Sequence, residues 1–257
     1  MSTALIWPDG YGKRVLPEID STNAEAARIA GDLAGPEWIL ALNQTQSRGR
    51  RGRAWAFPKG NFAATLVLHP TEPPAIVALR SFVAALALRD AFVTVSGRPD
   101  SFALKWPNDV LLNGGKVAGI LLESIGAGQG VSHLAIGFGI NLVAAPTPDQ
   151  VEEGAMRPVS LLSETGAGIA PEEFLTLLAA SYARFEAQFT TYGFAPIREA
   201  WLRHAARLGE VITARTGTTT SGTNETTGTF ETVDAQGNLV LSTAKGRVAI
   251  AAADVFF

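Results

Sequence analysis

The sequence predicts an α+β fold: a mixed, mostly antiparallel sheet backed by helices, followed by a small all-β module. Three observations carry this reading. Segments of strand and helix character alternate as strand–loop–strand–helix–strand–hairpin–strand–helix–helix, without the repeated βαβ unit of a doubly wound sheet. Asn113-Gly114-Gly115, between apolar Val110–Leu112 and Val117–Leu122, is a strong hairpin signal. From Leu208 to Phe257 the chain turns Thr-, Gly- and Val-rich with no helical period, as short strands require. Two domains are expected, 1–206 and 207–257, the second a small barrel or sandwich of about five strands.

Each element has its own signal. Asp20-Ser21-Thr22-Asn23 opens a helix, with Thr22 and Glu25 at capping-box spacing and Ala24 to Ala30 propagating it. Trp38–Leu42 and Asn61–His69 read as strands. Ile76–Val95 is apolar nearly throughout and predicts an interior helix. Phe102–Trp106 is a strand stopped by Pro107, and His133–Val143 a strand carrying two glycines. A Pro-rich loop spans Ala145 to Pro148. Pro171 begins a long helix with Glu172 and Glu173 in its first turn; Phe174, Leu177, Leu178, Ser181, Tyr182, Phe185 and Phe189 give it one buried face. A second helix is expected over Ala195–Arg207. In the last module, Gln236-Gly237-Asn238 and Lys245-Gly246-Arg247 mark turns, and the polar run Thr216–Thr229 predicts a mobile hairpin loop.

Composition removes whole classes of function. The chain has no cysteine, so disulfides, thiolate nucleophiles and enzyme thioesters are excluded. No apolar window is long enough for a membrane span. The first residues lack the basic and apolar regions of a signal peptide. A cytoplasmic location is expected. The net charge of −3 argues against a general nucleic-acid surface. Against that background, four of the 21 Lys and Arg residues fall between Arg48 and Arg53, a point feature suited to a small anion.

Familiar motifs are absent. Gly114-Gly115-Lys116 resembles the end of a phosphate-binding loop, but Val110 stands where its first glycine belongs and Val117 where Ser or Thr belongs. Gly137-Phe138-Gly139 opens no helix. No nucleophile elbow occurs. His69, His133 and His204 are dispersed, without metal-ligand spacing.

Two cationic features remain. In Ser47-Arg48-Gly49-Arg50-Arg51-Gly52-Arg53 the glycines let the backbone approach a ligand, and four guanidiniums so close together repel one another unless an anion lies between them. The loop is therefore expected to order only around a phosphate ligand; a solvated basic turn or a nucleic-acid patch is the alternative. Lys105 interrupts an apolar strand. A lysine facing the interior is costly unless paired with an anion, so it is a snorkelling lysine at a strand end, a partner for Asp109, or the holder of a substrate carboxylate during attack on phosphorus. With no thiol, triad or metal cluster in the sequence, the pair of features points to electrostatic catalysis of phosphoryl or adenylyl transfer.

Five blocks then occur in order: Glu18-Ile19-Asp20-Ser21-Thr22-Asn23; Gln44-Thr45-Gln46-Ser47-Arg48-Gly49-Arg50-Arg51-Gly52-Arg53-Ala54-Trp55; Lys105-Trp106-Pro107-Asn108-Asp109; Lys116-Val117-Ala118-Gly119-Ile120; and Gly139-Ile140-Asn141. In residues, order and spacing they resemble the biotin protein ligases. The resemblance runs from about residue 14 to the C-terminus and departs at Ser47, where the family loop usually begins with glycine.

The resemblance implies a class II synthetase-like biotin/lipoate ligase domain with a small C-terminal SH3-like β-barrel. It implies formation of biotinyl-5′-AMP from biotin and ATP with Mg²⁺, then transfer to a lysine of a biotin carboxyl carrier protein. Ser21, Thr22, Asn23 and Gln44 would bind biotin, with Arg48, Gly49, Arg50 and Lys105 over its chain and carboxylate. Lys105, Arg48 and Arg50 would be catalytic. Arg50, Arg51, Arg53, Trp55, Lys116 and Asn141 would bind ATP, Trp55 by stacking on adenine. Asn108 and Asp109 either contribute to the site or hold the strand end and orient Lys105. No protein metal ligands and no DNA binding are expected, the segment before the first block being too short for a helix-turn-helix; the protein is expected to be a monomer or homodimer. A lipoate-type ligase and a non-enzymatic anion- or nucleic-acid-binding protein are the alternatives.

Overall fold

A computed structural model describes residues 6–53, 55–125, 131–147, 150–151, 156–219 and 222–257, without the side chains of 50, 218, 219, 222 and 223. Its larger sheet has seven strands: β1 (Gly12–Leu16), β2 (Glu37–Ala41), β3 (Phe62–Leu68), β4 (Phe102–Lys105), β5 (Asp109–Leu112), β6 (Gly115–Ile125) and β7 (His133–Ile140). They are ordered β1-β2-β3-β7-β6-β5-β4. Only β1 and β2 run parallel; the other pairs are antiparallel. This is the mixed, mostly antiparallel sheet the sequence predicts.

Alternation along the strands gives the sheet two unlike faces. Trp38, Leu40, Ala64, Leu66, Phe138, Ile136, Ile120, Val110 and Leu104 point one way into the main core. Helices α3 (Arg80–Ser96) and α5 (Pro171–Tyr192) cover that face, joined by α6 (Phe194–Leu202). The opposite face mixes small and polar residues with a few branched apolar ones. One row crosses six strands as Ala41, Ala63, Gly139, Gly119, Asp109 and Lys105. The next holds Ile39, Thr65, Gly137 and Leu121, and a third Val67, Ala135 and Glu123. Helix α1 (Thr22–Ile29) lays Ala26 on Ile39, Val67 and Ala135, making a small second core. The rest of this face is left open.

The Asn113-Gly114 turn forms as expected, both residues at positive φ (49° and 77°). Several boundaries differ from the sequence reading, each for a local reason. The helix expected over Ile76–Val95 is two pieces, α2 (Pro74–Val77) and α3, broken at Ala78-Leu79. Its companion ends at Leu202 rather than Arg207, because 204–206 pair with β4: Leu104 N–H donates to His204 O and Ala206 N–H to Leu104 O, both at 2.8 Å. Strand β1 carries Lys13 and Arg14, which an edge strand tolerates but a periodicity search rejects. Helix α4 (Leu161–Thr165) is too short to show a period; its signal is the Ser160/Ser163 capping box. Pro148, at the end of the expected Pro-rich loop, lies outside the described residues.

Beyond Arg207, which turns the chain at φ 64°, a second sheet holds β8 (Val211–Thr219), β9 (Gly222–Val233), β10 (Leu239–Thr243), β11 (Gly246–Ile250) and β12 (Asp254–Phe256). Their order is β11-β10-β9-β8-β12, all antiparallel. The run read as a mobile loop, Thr216–Thr229, is a long strand pair in its described part. Threonine's branched Cβ favours the extended chain, and polarity alone misled. The sheet is not isolated: Phe230, Val233, Leu239 and Ile250 belong to the same core as α3 and α5.

Candidate active site

The open part of the small-residue face is the floor of a cleft of about 1050 Å³. Its walls are the start of α1, the loop 47–53, the end of the second sheet and the β4–β5 corner.

Helix α1 begins at Ser21, in extended conformation, but the expected Thr22–Glu25 capping box does not form. Gln44, just beyond the parallel β1–β2 pair, caps the helix from outside. Its Oε1 accepts Thr22 N–H at 2.7 Å and the Thr22 hydroxyl at 3.1 Å. Glu25 instead pairs with Arg28 at 2.8 Å. Arg28 also grips Asp20 at 2.7 Å, and this hydrogen bond holds the Asp20 carboxyl down at about 2. Ser21, Thr22 and Asn23 are all buried. The Asn23 amide is consumed by the protein: Oδ1 accepts from Thr65 Oγ1 at 2.6 Å, and Nδ2 donates to Glu123 Oε2 at 2.7 Å. Gly137 makes this possible, since a Cβ there would lie 2.3 Å from Asn23 Oδ1.

The basic loop closes on itself. Gly49 N–H donates to Arg53 O (2.7 Å) and Trp55 N–H to Ser47 O (3.1 Å), with Arg51 and Gly52 at positive φ in the turn. Carboxylates of the chain itself lie against three of the loop guanidiniums. Glu123 accepts from Arg48 Nη2 at 3.1 and 3.2 Å. Asp254, on β12, accepts from Arg51 at 2.7 Å and Arg53 at 3.3 Å. Ser47 Oγ accepts from Gln44 Nε2 at 3.2 Å, linking the loop to the helix cap. The side chain of Arg50 lies outside the described part.

Lys105 does not point into the core. Its neighbour Leu104 does, which places Lys105 on the cleft face, 8% exposed. Its cross-strand partner Asp109 lies 3.8 Å from Nζ and binds Lys116 Nζ at 2.8 Å. One carboxylate thus holds two ammonium groups side by side, a pair that would otherwise repel. Asn108 donates from Nδ2 to Ile120 O and pins the corner.

Trp55 lies flat on the glycine row. A Cβ at Gly139 would meet its ring at 2.9 Å, and one at Gly119 at 3.4 Å. Lys116 Nζ stands 5.4 Å above the same ring. The indole Nε1 is buried with no partner among the described residues. Asn141 lines the cleft, but its Nδ2 donates to Val159 O at 3.0 Å and so holds the next loop in place.

The structure therefore gathers Ser21, Thr22, Asn23, Gln44, Arg48, Gly49, Arg51, Arg53, Trp55, Lys105, Lys116 and Asn141 around one cleft. Asp254 lines the cleft too, and Thr65 and Glu123 hold Asn23 beside it; the sequence reading missed all three. A polar residue in the wholly buried stretch Phe62–Leu68 was the available signal for Thr65. Glu123 shares strand parity with Gly119, the glycine under Trp55.

Residues 15–141 match the Biotin/lipoate A/B protein ligase family, and residues 208–257 the Biotin protein ligase C terminal domain. A biotin–[acetyl-CoA-carboxylase] ligase of Paracoccus denitrificans is 56% identical over 95% of this chain and 99% of its own length. The chain belongs to the biotin protein ligase family. The bifunctional ligase/repressor BirA of Bacillus subtilis is 31% identical over 92% of this chain and 71% of its own. The fold matches biotin protein ligase from Aquifex aeolicus in complex with biotin and ATP, with a TM-score of 0.81 at 24% identity, over 95% of this chain and 98% of that one.

Proposed function

We propose that this chain is an ATP-dependent biotin protein ligase that forms biotinyl-5′-AMP and passes the biotinyl group to a lysine of a biotin carboxyl carrier protein. One observation carries the reading: two lysines and the arginine loop converge over a glycine floor, opposite a buried polar seat at the start of α1, in a chain of this family. Ser21, Thr22 and Gln44 form the seat for the ureido ring, and Asn23 shapes it from behind. The biotin carboxylate lies toward Lys105 and Arg48. Its oxygen attacks the α-phosphate of ATP, an O–P bond forms, and pyrophosphate leaves. Lys105 and Lys116 offset the charge that builds on the phosphate. Adenine rests against Trp55, and Arg51 and Arg53 face the phosphates; Arg50 is assigned to them by its place in the family motif. The folded loop screens the mixed anhydride from water. The carrier amine then attacks the acyl carbon and AMP departs, a transfer that needs no thiol of the enzyme.

Mg²⁺ belongs to the nucleotide in this scheme. The cleft carboxylates Asp109, Glu123 and Asp254 are each engaged by lysine or arginine nitrogens, so they do not fit a resident metal site. When bound with ATP it would neutralise the departing pyrophosphate. Residues 1–206 form the catalytic unit and 207–257 the accessory one. A cytoplasmic location is part of this proposal; no described helix is long and apolar enough to cross a membrane.

The test is the reaction itself: labelled ATP and biotin should yield biotinyl-AMP and pyrophosphate, and calorimetry should show biotin binding where lipoate does not. Lys105→Ala should slow adenylate formation by roughly 10²–10³-fold, the scale of removing one charge-stabilising donor. An unchanged rate would take Lys105 out of the mechanism, and lipoate-dependent AMP formation would replace biotin as the substrate.

A further inference from the structure

Glu123 is the carboxylate that binds both Asn23, behind the proposed biotin seat, and the loop arginine Arg48, and nothing in the proposed chemistry requires it. It stands on the cleft face of β6, in the row of Val67 and Ala135. One of its oxygens, Oε2, accepts from both Asn23 Nδ2 (2.7 Å) and Arg48 Nη2 (3.1 Å). The other accepts from Arg48 Nη2 at 3.2 Å. Asn23 is in turn fixed by Thr65, whose hydroxyl lies 2.6 Å from Asn23 Oδ1 and 2.8 Å from Thr22 Oγ1. Thr22 is bound by Gln44, and Gln44 by Ser47, the residue before Arg48. The polar contacts thus form a closed ring from the loop through the start of the helix and the sheet floor back to the loop.

The way Arg48 is held decides what the ring does. An arginine parked on a carboxylate gives up its two-nitrogen fork. Here only Nη2 is engaged, at long distance, and Nε and Nη1 have no protein partner among the described residues. That edge stays available to an oxyanion. We infer that Glu123 is a positioning residue: it couples the polar seat at Asn23 to the loop by holding Arg48 through one nitrogen, so that forming the seat aims the guanidinium. The inference rests on the ligase reading for its consequence, retention of the adenylate. The coupling itself can be read without any ligand.

Glu123→Gln keeps an acceptor for Asn23 and removes the charge that holds Arg48; Glu123→Asp keeps the charge. Two measurements separate the possibilities. In the ligand-free protein, trypsin cleavage after Arg48 should rise roughly three- to fivefold in Glu123→Gln, the scale of a half-exposed ion pair, and return toward wild type in Glu123→Asp. In the biotin–ATP reaction, release of biotinyl-AMP from the enzyme should quicken by a similar factor in Glu123→Gln, and Glu123→Gln should add nothing once Arg48 is already replaced by Gln. Equal cleavage of wild type and Glu123→Gln would overturn the inference, as would additive effects of the two substitutions. If the wild-type protein makes no adenylate, the ligase reading falls, and the cleavage comparison decides the Glu123 link alone.

Discussion

A Cβ added at position 139 would meet the Trp55 ring at 2.9 Å, and the residue directly opposite is again a glycine, Gly119. The indole therefore rests on bare backbone, at a level that only side-chain-free positions permit. Gly139→Ala should lift the ring and weaken ATP binding about tenfold, roughly 1.4 kcal/mol, while biotin binding in the absence of ATP stays as it was. Calorimetry with each ligand checks both halves; equal ATP affinity would mean that the indole does not contact the nucleotide. Residues of this kind were only partly legible in the sequence. Lys105 stood out because a charge in an apolar strand demands a reason. Gly137 and Gly139 were visible as glycines, but what they make room for depends on Asn23 and Trp55, more than 80 positions away. Glu123 and Asp254 were invisible as loop partners because carboxylates on strands are common, and only the tertiary fold brings them to the arginines.

At the scale of elements, the start of α1 is assembled by groups outside the helix. Gln44 supplies the cap that local spacing assigned to Thr22 and Glu25, since the cap accepts from the Thr22 N–H that a local box would have used. Arg28, a turn and a half further on, reaches back to Asp20 just before the helix. This pair has a defined pH signature. The folded Asp20 titrates at about 2, below its ordinary value of 3.8. Its contribution to stability is thus fully present above about pH 4 and is lost as pH falls toward 2. The pair is exposed, so the contribution is small. Arg28→Ala should raise the Asp20 titration from about 2 part of the way toward 3.8, read by carboxyl NMR, the Ser21 N–H holding the remainder; a value still near 2 would assign the whole shift to that N–H. The same contrast between local and distant causes separates the elements that sequence revealed from those it hid. The Asn113-Gly114 turn and the long α5 follow from their own residues. Strand β1 exists because β2 pairs with it, and 204–206 leave the helix because β4 offers them a free edge.

Across the whole molecule, the two sheets share one apolar core, and a turn of the second reaches the first directly: Trp106 Nε1 donates to Gly237 O at 3.0 Å. The change of composition near residue 207 made the second sheet legible, but not that its last strand faces the cleft. Asp254 on β12 binds Arg51 and Arg53, the same guanidiniums proposed to face the phosphates of ATP. Two negative partners then compete for one pair of cations. Binding free energies are reciprocal, so whatever nucleotide gains by drawing these arginines away, β12 loses in its hold on the loop. Saturating ATP with biotin should slow amide hydrogen exchange in the loop yet quicken it in β12, and Asp254→Asn should abolish that opposition. Uniform protection of both segments would mean that the arginines serve the two partners together. The last strand would then be a reporter of cleft occupancy, readable by mass spectrometry from a segment that takes no part in the chemistry.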